Sequence, residues 1–278
     1  MYDKFQTDRL IDSWLAEDVG ACDLTAQVMI EPDEQGAFAM NAREPMVIAG
    51  IDVAARVFRR YDQDVAVELL VRDGGRVEKG ARLMNVRGPA RSLLTAERTS
   101  LNILQRLCGI ATETARYVDA IRGTRARLVD TRKTTPGLRM LEKHAVSCGG
   151  GLNHRLGLDN GVMIKDNHIA VCGGIARAVE RARRLLPVLT KLEVECDRLD
   201  QVREALAAGV DVIMLDNMPV PDMAEAVRLV AGRVKLEASG GIRLETIRPV
   251  AETGVDYIST SGTHQSAPAV DIGLDEAA

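Results

Sequence analysis

No CxxC pair occurs in this sequence, and its five cysteines (Cys22, Cys108, Cys148, Cys172 and Cys196) are odd in number and widely spaced. That excludes a disulfide framework and any metal site built on paired cysteines, and it implies reduced, mostly buried thiols. No apolar run reaches the ~18 residues that would mark a membrane span. The amino-terminal MYDKFQTDRLIDSWLAEDVG is charged throughout. It lacks the apolar core and small-residue cleavage site of a leader, so the expected location is the cytoplasm. Low-complexity tracts and Ser/Pro-rich linkers are missing too. The formal net charge of −4 leaves no domain-wide basic footprint and argues against general nucleic-acid binding.

What is present is globular material: 278 residues, 46% hydrophobic and 27% charged, enough for one large α/β domain or a large and a small one. Against the acidic balance, one stretch stands out. Between Arg122 and Asp166 there are nine Lys/Arg and four Asp/Glu, with glycines and imidazoles interspersed in DTRKTTPGLRMLEKHAVSCGGGLNHRLGLDNGVMIKDNHI. Cations gathered by a fold repel one another unless an anion sits among them, so this stretch points to a small, multiply charged anionic ligand.

The carboxy-terminal half carries a strand and helix period. The apolar runs LEVEC (192–196), VIMLD (212–216), KLEAS (235–239) and YISTS (257–261) recur about every twenty residues and read as buried parallel strands. Between them lie LDQVREALAAG, PDMAEAVRLVAG and LETIRPVAETG, amphipathic helices stopped by Gly209, Gly232 and Gly254, with Pro249 as an interior blemish in the third. Such alternation predicts an α/β fold, either a β/α barrel or a doubly wound sheet. Polar residues at successive strand ends (Glu193 and Glu195, Asp216, Glu237 and Ser239, Ser259 and Ser261) favour the barrel, whose strand ends face one central site. RARLVDTRK and NGVMIKDNH read as earlier strands opening on the same rim.

The first hundred residues differ. AFAMNAREPMVIAG and DVAVELLVRDGGRVEKGARLMNVRG predict short strands with Asp73-Gly74-Gly75 as a turn, and IDVAARVFRRY a helix between them. A long helix begins near Ser92, with Leu94, Leu101, Leu104 and Leu107 as its apolar stripe. The expectation is an amino-terminal α+β sandwich domain over 1–108 and a TIM-like β/α barrel, complete or incomplete, over 109–265. Residues 266–278 are expected to pack back on the first domain.

Seven strings, LTAERTSLNILQRLCGIAT, DTRKTTPGLR, CGGGLNHRLGL, IKDNHI, LEVEC, IMLDNM and LEASGGI, together with the final VDIGLD, resemble the quinolinate phosphoribosyltransferase family in its order and spacing. The resemblance covers most of the chain. It implies an enzyme of NAD biosynthesis that joins quinolinate to phosphoribosyl pyrophosphate (PRPP) with loss of pyrophosphate and carbon dioxide. Those reactants carry about six negative charges, which matches the gathered Arg and Lys.

The resemblance also implies roles. Arg132, His154 and Arg155 match the quinolinate-carboxylate pocket, and Lys133 and Lys165 match site lysines near the substrate carboxylates and the phosphoribosyl group. Arg98 matches an arginine that crosses a dimer interface, which implies an obligate homodimer. Glu195 and Asp216 match the acidic pair that works with Mg2+, and Ser239, Gly240 and Gly241 match the 5-phosphate loop. The string SGTHQS departs from the family's GALTHS; Ser261 and Gln265 stand at the phosphate-lining places and His264 is shifted by one. His144 and Ser147 likewise stand where Tyr and Arg are common, leaving Arg139 and Lys143 as secondary candidates.

Plainer readings of the same residues are a loop brace for His168, an intrahelical ion pair for Arg98, helix caps for Glu195 and Asp216, and a simple turn for Gly149 to Gly151. Two rival functions stand beside the first: the molybdenum-associated relative that shares the fold, and a non-enzymatic barrel binding a phosphorylated metabolite.

Overall fold

The computed structural model describes residues 2–277. The chain opens with α1 (Lys4–Val19), α2 (Leu24–Met29), β1 (Gln35–Ala42), β2 (Met46–Val47) and α3 (Ile51–Tyr61). Next come β3 (Ala66–Leu69), β4 (Arg76–Val77), β5 (Arg82–Pro89) and the long α4 (Ala90–Ala120). β6 (Arg127–Val129), α5 (Arg139–Cys148), β7 (Val162–Ile164), α6 (Asp166–Cys172) and α7 (Ile175–Leu185) follow. The order ends with β8 (Leu192–Cys196), α8 (Leu199–Ala207), β9 (Val212–Asp216), α9 (Val220–Val230), β10 (Lys235–Ser239), α10 (Ile247–Glu252), β11 (Tyr257–Ser259) and β12 (Ile272–Glu276).

Two compact units result, one of Met1–Ala115, Thr135–Gly150 and Ser266–Ala278, the other of Arg116–Thr134 and Gly151–Gln265. This differs from a cut at 108/109. The division falls inside α4, because that helix runs unbroken for 31 residues. It also gives α5 to the first unit, because Leu141, Ala145 and Val146 share an apolar cluster with Phe58, Leu104 and Ile110.

The first unit has a four-stranded sheet in the order β12-β1-β5-β3, antiparallel throughout. Its carboxy-terminal strand β12 pairs with β1 from Phe38↔Glu276 to Ala42↔Ile272. α1 is an element that the charged amino terminus conceals. Asp3 caps it by accepting from the Gln6 N–H at 2.8 Å, and a narrow stripe of Thr7, Ile11 and Leu15 is its buried face. On α4 the buried stripe runs through Leu93, Ala96, Leu101, Leu104 and Leu107, whereas Leu94 is exposed. Helical phase explains the correction: at about 100° per residue Leu93 lies within roughly 20° of Leu104 and 40° of Leu107 around the axis, whereas Leu94 lies roughly 80° and 140° from them. Gly109 marks where α4 meets the carboxy-terminal segment, since a Cβ there would lie 2.0 Å from the Pro268 carbonyl oxygen.

The second unit is a six-stranded parallel sheet in the order β6-β11-β10-β9-β8-β7. Side chains alternate across it. Leu128, Ile164, Leu192, Val194, Ile213, Leu215, Leu236, Ala238 and Ile258 join one apolar cluster with residues of α7 to α10. The opposite parity turns Met163, Glu193, Glu195, Met214, Asp216, Glu237, Ser239, Tyr257 and Ser259 to the other face. The edge strands β6 and β7 do not pair among the described residues; instead Leu152 lies parallel to Val129, with Leu152 N–H donating to Leu128 and Asp130 N–H to Leu152 at 2.8 and 3.0 Å. The barrel is therefore incomplete, and the 151–155 segment occupies the gap. Pro249 is no blemish: it is the third residue of α10, where a missing N–H has no intrahelical partner to lose. The strand expected over 257–261 stops at Ser259, because the chain turns through Ser261.

Candidate functional site

Carboxyl ends of consecutive strands set the rim. Lys165 follows β7 directly and its N–H donates to His168 Nδ1 at 3.0 Å, so His168 braces the start of α6. The Lys165 ammonium pairs with Glu195 Oε2 on the neighbouring β8. One strand further, Asp216 closes β9 opposite Ser239. Asn217 then takes a left-handed backbone (φ 53°), donates from Nδ2 to Asp216 Oδ2 at 2.8 Å, and donates from its N–H to the Ser239 carbonyl at 2.9 Å. Gly240 (φ 93°) has to be glycine, because a Cβ would lie 2.3 Å from Asn217 Oδ1. The Ser239, Gly240, Gly241 loop thus keeps its backbone clear of side chains, which suits close approach by an anionic oxygen.

The turn after β11 is held from behind. Ser261 carbonyl accepts from Gln265 N–H at 2.7 Å and His264 N–H at 3.2 Å, while the buried His264 Nε2 accepts from Thr131 N–H at 3.3 Å. His264 is a support for the TRK segment, and Gln265 is exposed.

Asp130, fully buried, organises the next wall. Its Oδ1 accepts from His154 N–H and its Oδ2 from Asn153 Nδ2, both at 2.8 Å. His154 Nε2 then lies 3.1 Å from Glu193 Oε2 and 3.4 Å from Glu237 Oε2. Burial works against charging the ring, but these carboxylates outweigh it and push the imidazole up to about 10. The Arg155 N–H, 2.7 Å from Nδ1, pulls the other way, since it needs a lone pair there. This direct contact decides the tautomer in the present geometry: Nε2 carries the proton and gives it to the carboxylates, and charging the ring requires the Arg155 amide to turn away. Burial and then its partner His154 and neighbour Glu237 act on Glu193, with a net upward shift.

Arg155 reaches the Gly161 carbonyl at 3.1 Å, and burial followed by the charge of Arg132 holds its guanidinium below the usual range. Arg132 Nε is buried and finds no hydrogen-bond partner among the described residues. Two guanidiniums have been brought close, one with a buried donor unspent. Like charges held together suit an anionic ligand, and a cavity of about 270 Å³ inside the barrel is lined by His154, Arg155, Met163, Glu193 and Glu237, reaching Lys191 and Val212 at the strand starts.

Arg132, His154, Arg155, Lys165, Glu195, Asp216 and Ser239 to Gly241 thus share one unit, on its sheet's inner face, strand ends and adjoining loops. Lys133 is there too but exposed, its N–H donating to Thr131 Oγ1 at 3.1 Å. Arg98, exposed on α4, and Arg139, half-buried on α5, belong to the first unit. Sequence reasoning left Asp130 and Asn217 without roles and treated Glu193 and Glu237 only as strand-end polar residues. The available signal was parity: Glu193 lies two residues before Glu195, and Glu237 two before Ser239, so each shares the inner face.

Glu195 and Asp216 fit a magnesium ion by donor chemistry. They offer carboxylate oxygens on adjacent strands, and the contacts to Lys165 and Asn217 engage one oxygen of each.

Comparison with known proteins agrees along the whole chain. The profiles for the N-terminal and C-terminal domains of quinolinate phosphoribosyl transferase match residues 23–108 and 110–275. A probable nicotinate-nucleotide pyrophosphorylase [carboxylating] of Synechocystis is 43% identical over 270 residues, covering 96% of this chain and 91% of the relative. The nicotinate-nucleotide pyrophosphorylase [carboxylating] of Mycobacterium leprae is 45% identical over 258 residues, 91% of this chain and 90% of its own. Among solved structures, the nicotinate-nucleotide pyrophosphorylase from Francisella tularensis superposes with a TM-score of 0.95 at 40% identity, covering 99% and 97% of the two chains.

Proposed function

This chain belongs to the quinolinate phosphoribosyltransferase family, and from that premise we propose how its residues carry out the transfer of phosphoribosyl from PRPP to quinolinate in NAD biosynthesis. The quinolinate ring nitrogen bonds to C1 of the ribose as the C1–O bond to pyrophosphate breaks, the electron pair leaving with pyrophosphate. The nitrogen, now quaternary, stabilises the pair left on the adjacent carbon when that carboxylate departs as carbon dioxide. A proton from solvent then completes nicotinate mononucleotide.

Arg132 and Arg155 grip the quinolinate carboxylates through planar forks, with His154 oriented beside them by Glu193, Glu237 and Asp130. Lys133 and Lys165 follow negative charge at the substrate carboxylates and phosphoribosyl group. Ser239, Gly240, Gly241, Ser261 and Gln265 receive the 5-phosphate. Glu195 and Asp216 hold Mg2+, which neutralises pyrophosphate oxygens when bound. Arg98 completes the neighbouring site of a homodimer working in the cytoplasm. The observation that carries this reading is the buried, unspent Arg132 donor beside a second guanidinium.

Purified protein with quinolinate, PRPP and Mg2+ is expected to form nicotinate mononucleotide and carbon dioxide in equal amounts; no product refutes the assignment. The shared site has its own test. Arg98→Ala and Arg132→Ala subunits, each inactive alone, should regain about a quarter of wild-type activity when reassociated as mixed dimers, since half the dimers then hold one intact site. Absence of complementation in dimers shown to exchange subunits removes Arg98 from the neighbour's site.

A further inference from the structure

A second cluster of reactive side chains lies wholly inside the first unit and takes no part in the transfer chemistry. Asp73, in the loop between β3 and β4, meets His144 and Cys148, one turn apart on α5. His144 Nε2 is 2.6 Å from Asp73 Oδ2 and 3.5 Å from Cys148 Sγ. The other Asp73 oxygen accepts from the Ile51 N–H at 3.1 Å, where α3 begins, which leaves Oδ2 for the cluster. The Tyr2 ring stands edge-on to His144, 4.9 Å between centroids.

The residue types are those of a cysteine nucleophile with its base and orienting acid, but the geometry is wrong for it. A catalytic triad uses the two ring nitrogens for different partners, one for the acid and one for the nucleophile. Here a single nitrogen faces both. The thiol is also the wrong species, because burial and then the Asp73 carboxylate push Cys148 up to about 12. Oxygen, nitrogen and sulfur converge on one point instead, with all three ligand atoms within 4.8 Å of one another.

We propose that Asp73, His144 and Cys148 form a zinc site, with water as the fourth ligand. Tetrahedral zinc with bonds of about 2.3 Å to sulfur and 2.0–2.1 Å to nitrogen separates those atoms by about 3.5 Å, which is the distance between Sγ and Nε2. The imidazole to carboxylate contact opens from 2.6 Å to about 3.3 Å on binding, a small side-chain rotation. Burial and the carboxylate, which disfavour a free thiolate, are reversed by a dication that deprotonates the sulfur outright. A thiolate and imidazole select zinc over magnesium, which prefers oxygen alone, so this site and the acidic pair of the barrel take different ions. Bound zinc clips α5 to the loop after β3 and, through Asp73, to the start of α3. It joins residues 71 positions apart in sequence, which only the folded chain brings together, so zinc binding favours the folded state.

Chelator-treated full-length protein, reduced and kept in excess Mg2+, is titrated with Co2+ and with Zn2+. The expected result is one equivalent of cobalt giving a thiolate charge-transfer band and intense tetrahedral visible bands, both displaced by zinc. Zinc at a hundredfold excess over its dissociation constant should raise the melting temperature by roughly 5–10 °C. Cys148→Ser and His144→Gln should abolish the bands while Cys22→Ser, at an exposed cysteine, keeps them. Should those variants fold poorly, peptide mapping of the wild type replaces them: under alkylation prolonged until Cys148 of the zinc-free protein reacts, zinc must protect Cys148 and leave Cys22 reactive. Absence of the charge-transfer band, its persistence in folded Cys148→Ser, or alkylation of Cys148 unaffected by zinc overturns the site.

Discussion

The two ends of the parallel barrel are built from the same kinds of charged side chain and use them in opposite ways. At the amino end, Asp211 accepts from the Leu192 N–H at 2.8 Å and pairs with Arg183 at 3.0 Å and Lys191 at 3.4 Å. Asp256 repeats the device one strand pair further on, accepting from the Leu236 N–H at 3.0 Å and pairing with Lys235 at 2.8 Å and Arg125. Each carboxylate precedes a strand and clips the strand beside it. At the carboxyl end Arg132, which follows β6, retains a buried Nε donor with no hydrogen-bond partner among the described residues. One end is satisfied and stabilises the fold; the other is left unsatisfied for a ligand to complete, as the usual assignment of the two barrel faces expects.

Removing a cation from the unsatisfied end should have the largest effect on activity. Arg132→Ala or Arg155→Ala is expected to lower kcat/KM for quinolinate at least a hundredfold, about 3 kcal/mol for a lost charged hydrogen bond, with the melting temperature unchanged or raised as repulsion is relieved. Unaltered kcat/KM with quinolinate would take that guanidinium out of the pocket. Gly240→Ala should be next: the Cβ meets Asn217 at 2.3 Å on a left-handed backbone, so a loss of about 2 kcal/mol in stability is expected, together with a rise in KM for PRPP. A crystal structure showing the loop unmoved, with PRPP affinity intact, would contradict that.

The satisfied end should show the converse. Asp256→Asn is expected to cost about 1 kcal/mol, a melting temperature lower by roughly 2–4 °C, with kcat/KM within a factor of two. Loss of activity without loss of stability would collapse the contrast between the ends. The smallest effect is one of acidity. The backbone N–H groups and cations around Asp211 and Asp256 outweigh burial and hold both carboxyls below the usual range. Their stabilisation is therefore complete above the unfolded value near ~3.9 and is lost as pH falls through the lower folded values. Melting curves between pH 5 and pH 2 should fall less steeply for the double variant Asp211→Asn, Asp256→Asn, by well under about 1 kcal/mol because water screens both sites. Equal slopes would show that these clips do not titrate on unfolding.

Lys191-Leu192-Glu193 and Lys235-Leu236-Glu237 are one tripeptide used twice, each followed about twenty residues later by Gly-Val-Asp ending in Asp211 or Asp256. Read as linear text this is the βα period with two coincidences. In the barrel each letter has a place: Lys pairs with the aspartate at the amino end, Leu enters the outer apolar cluster, and Glu turns inward to His154. Strands β8, β9 and β10 are legible to the residue because continuous apolar runs bounded by turns have one stable fate in a buried parallel sheet. α1 was concealed by its narrow buried stripe, and the membership of α5 by chain order, which places it among barrel elements although its apolar face belongs elsewhere.

Local sequence by itself determined the strands and helices of the barrel, the concentration of cations between Arg122 and Asp166, and the inward parity of Glu195 and Asp216, since periodicity and charge are properties of neighbouring residues. Only the tertiary structure decided which cations remain unspent, that Glu193 and Glu237 close on one imidazole, and that Asp73 meets His144 and Cys148. Those outcomes depend on groups far apart along the chain being desolvated together. Burial and Coulomb energies are set by distance in space, which spacing in sequence does not specify.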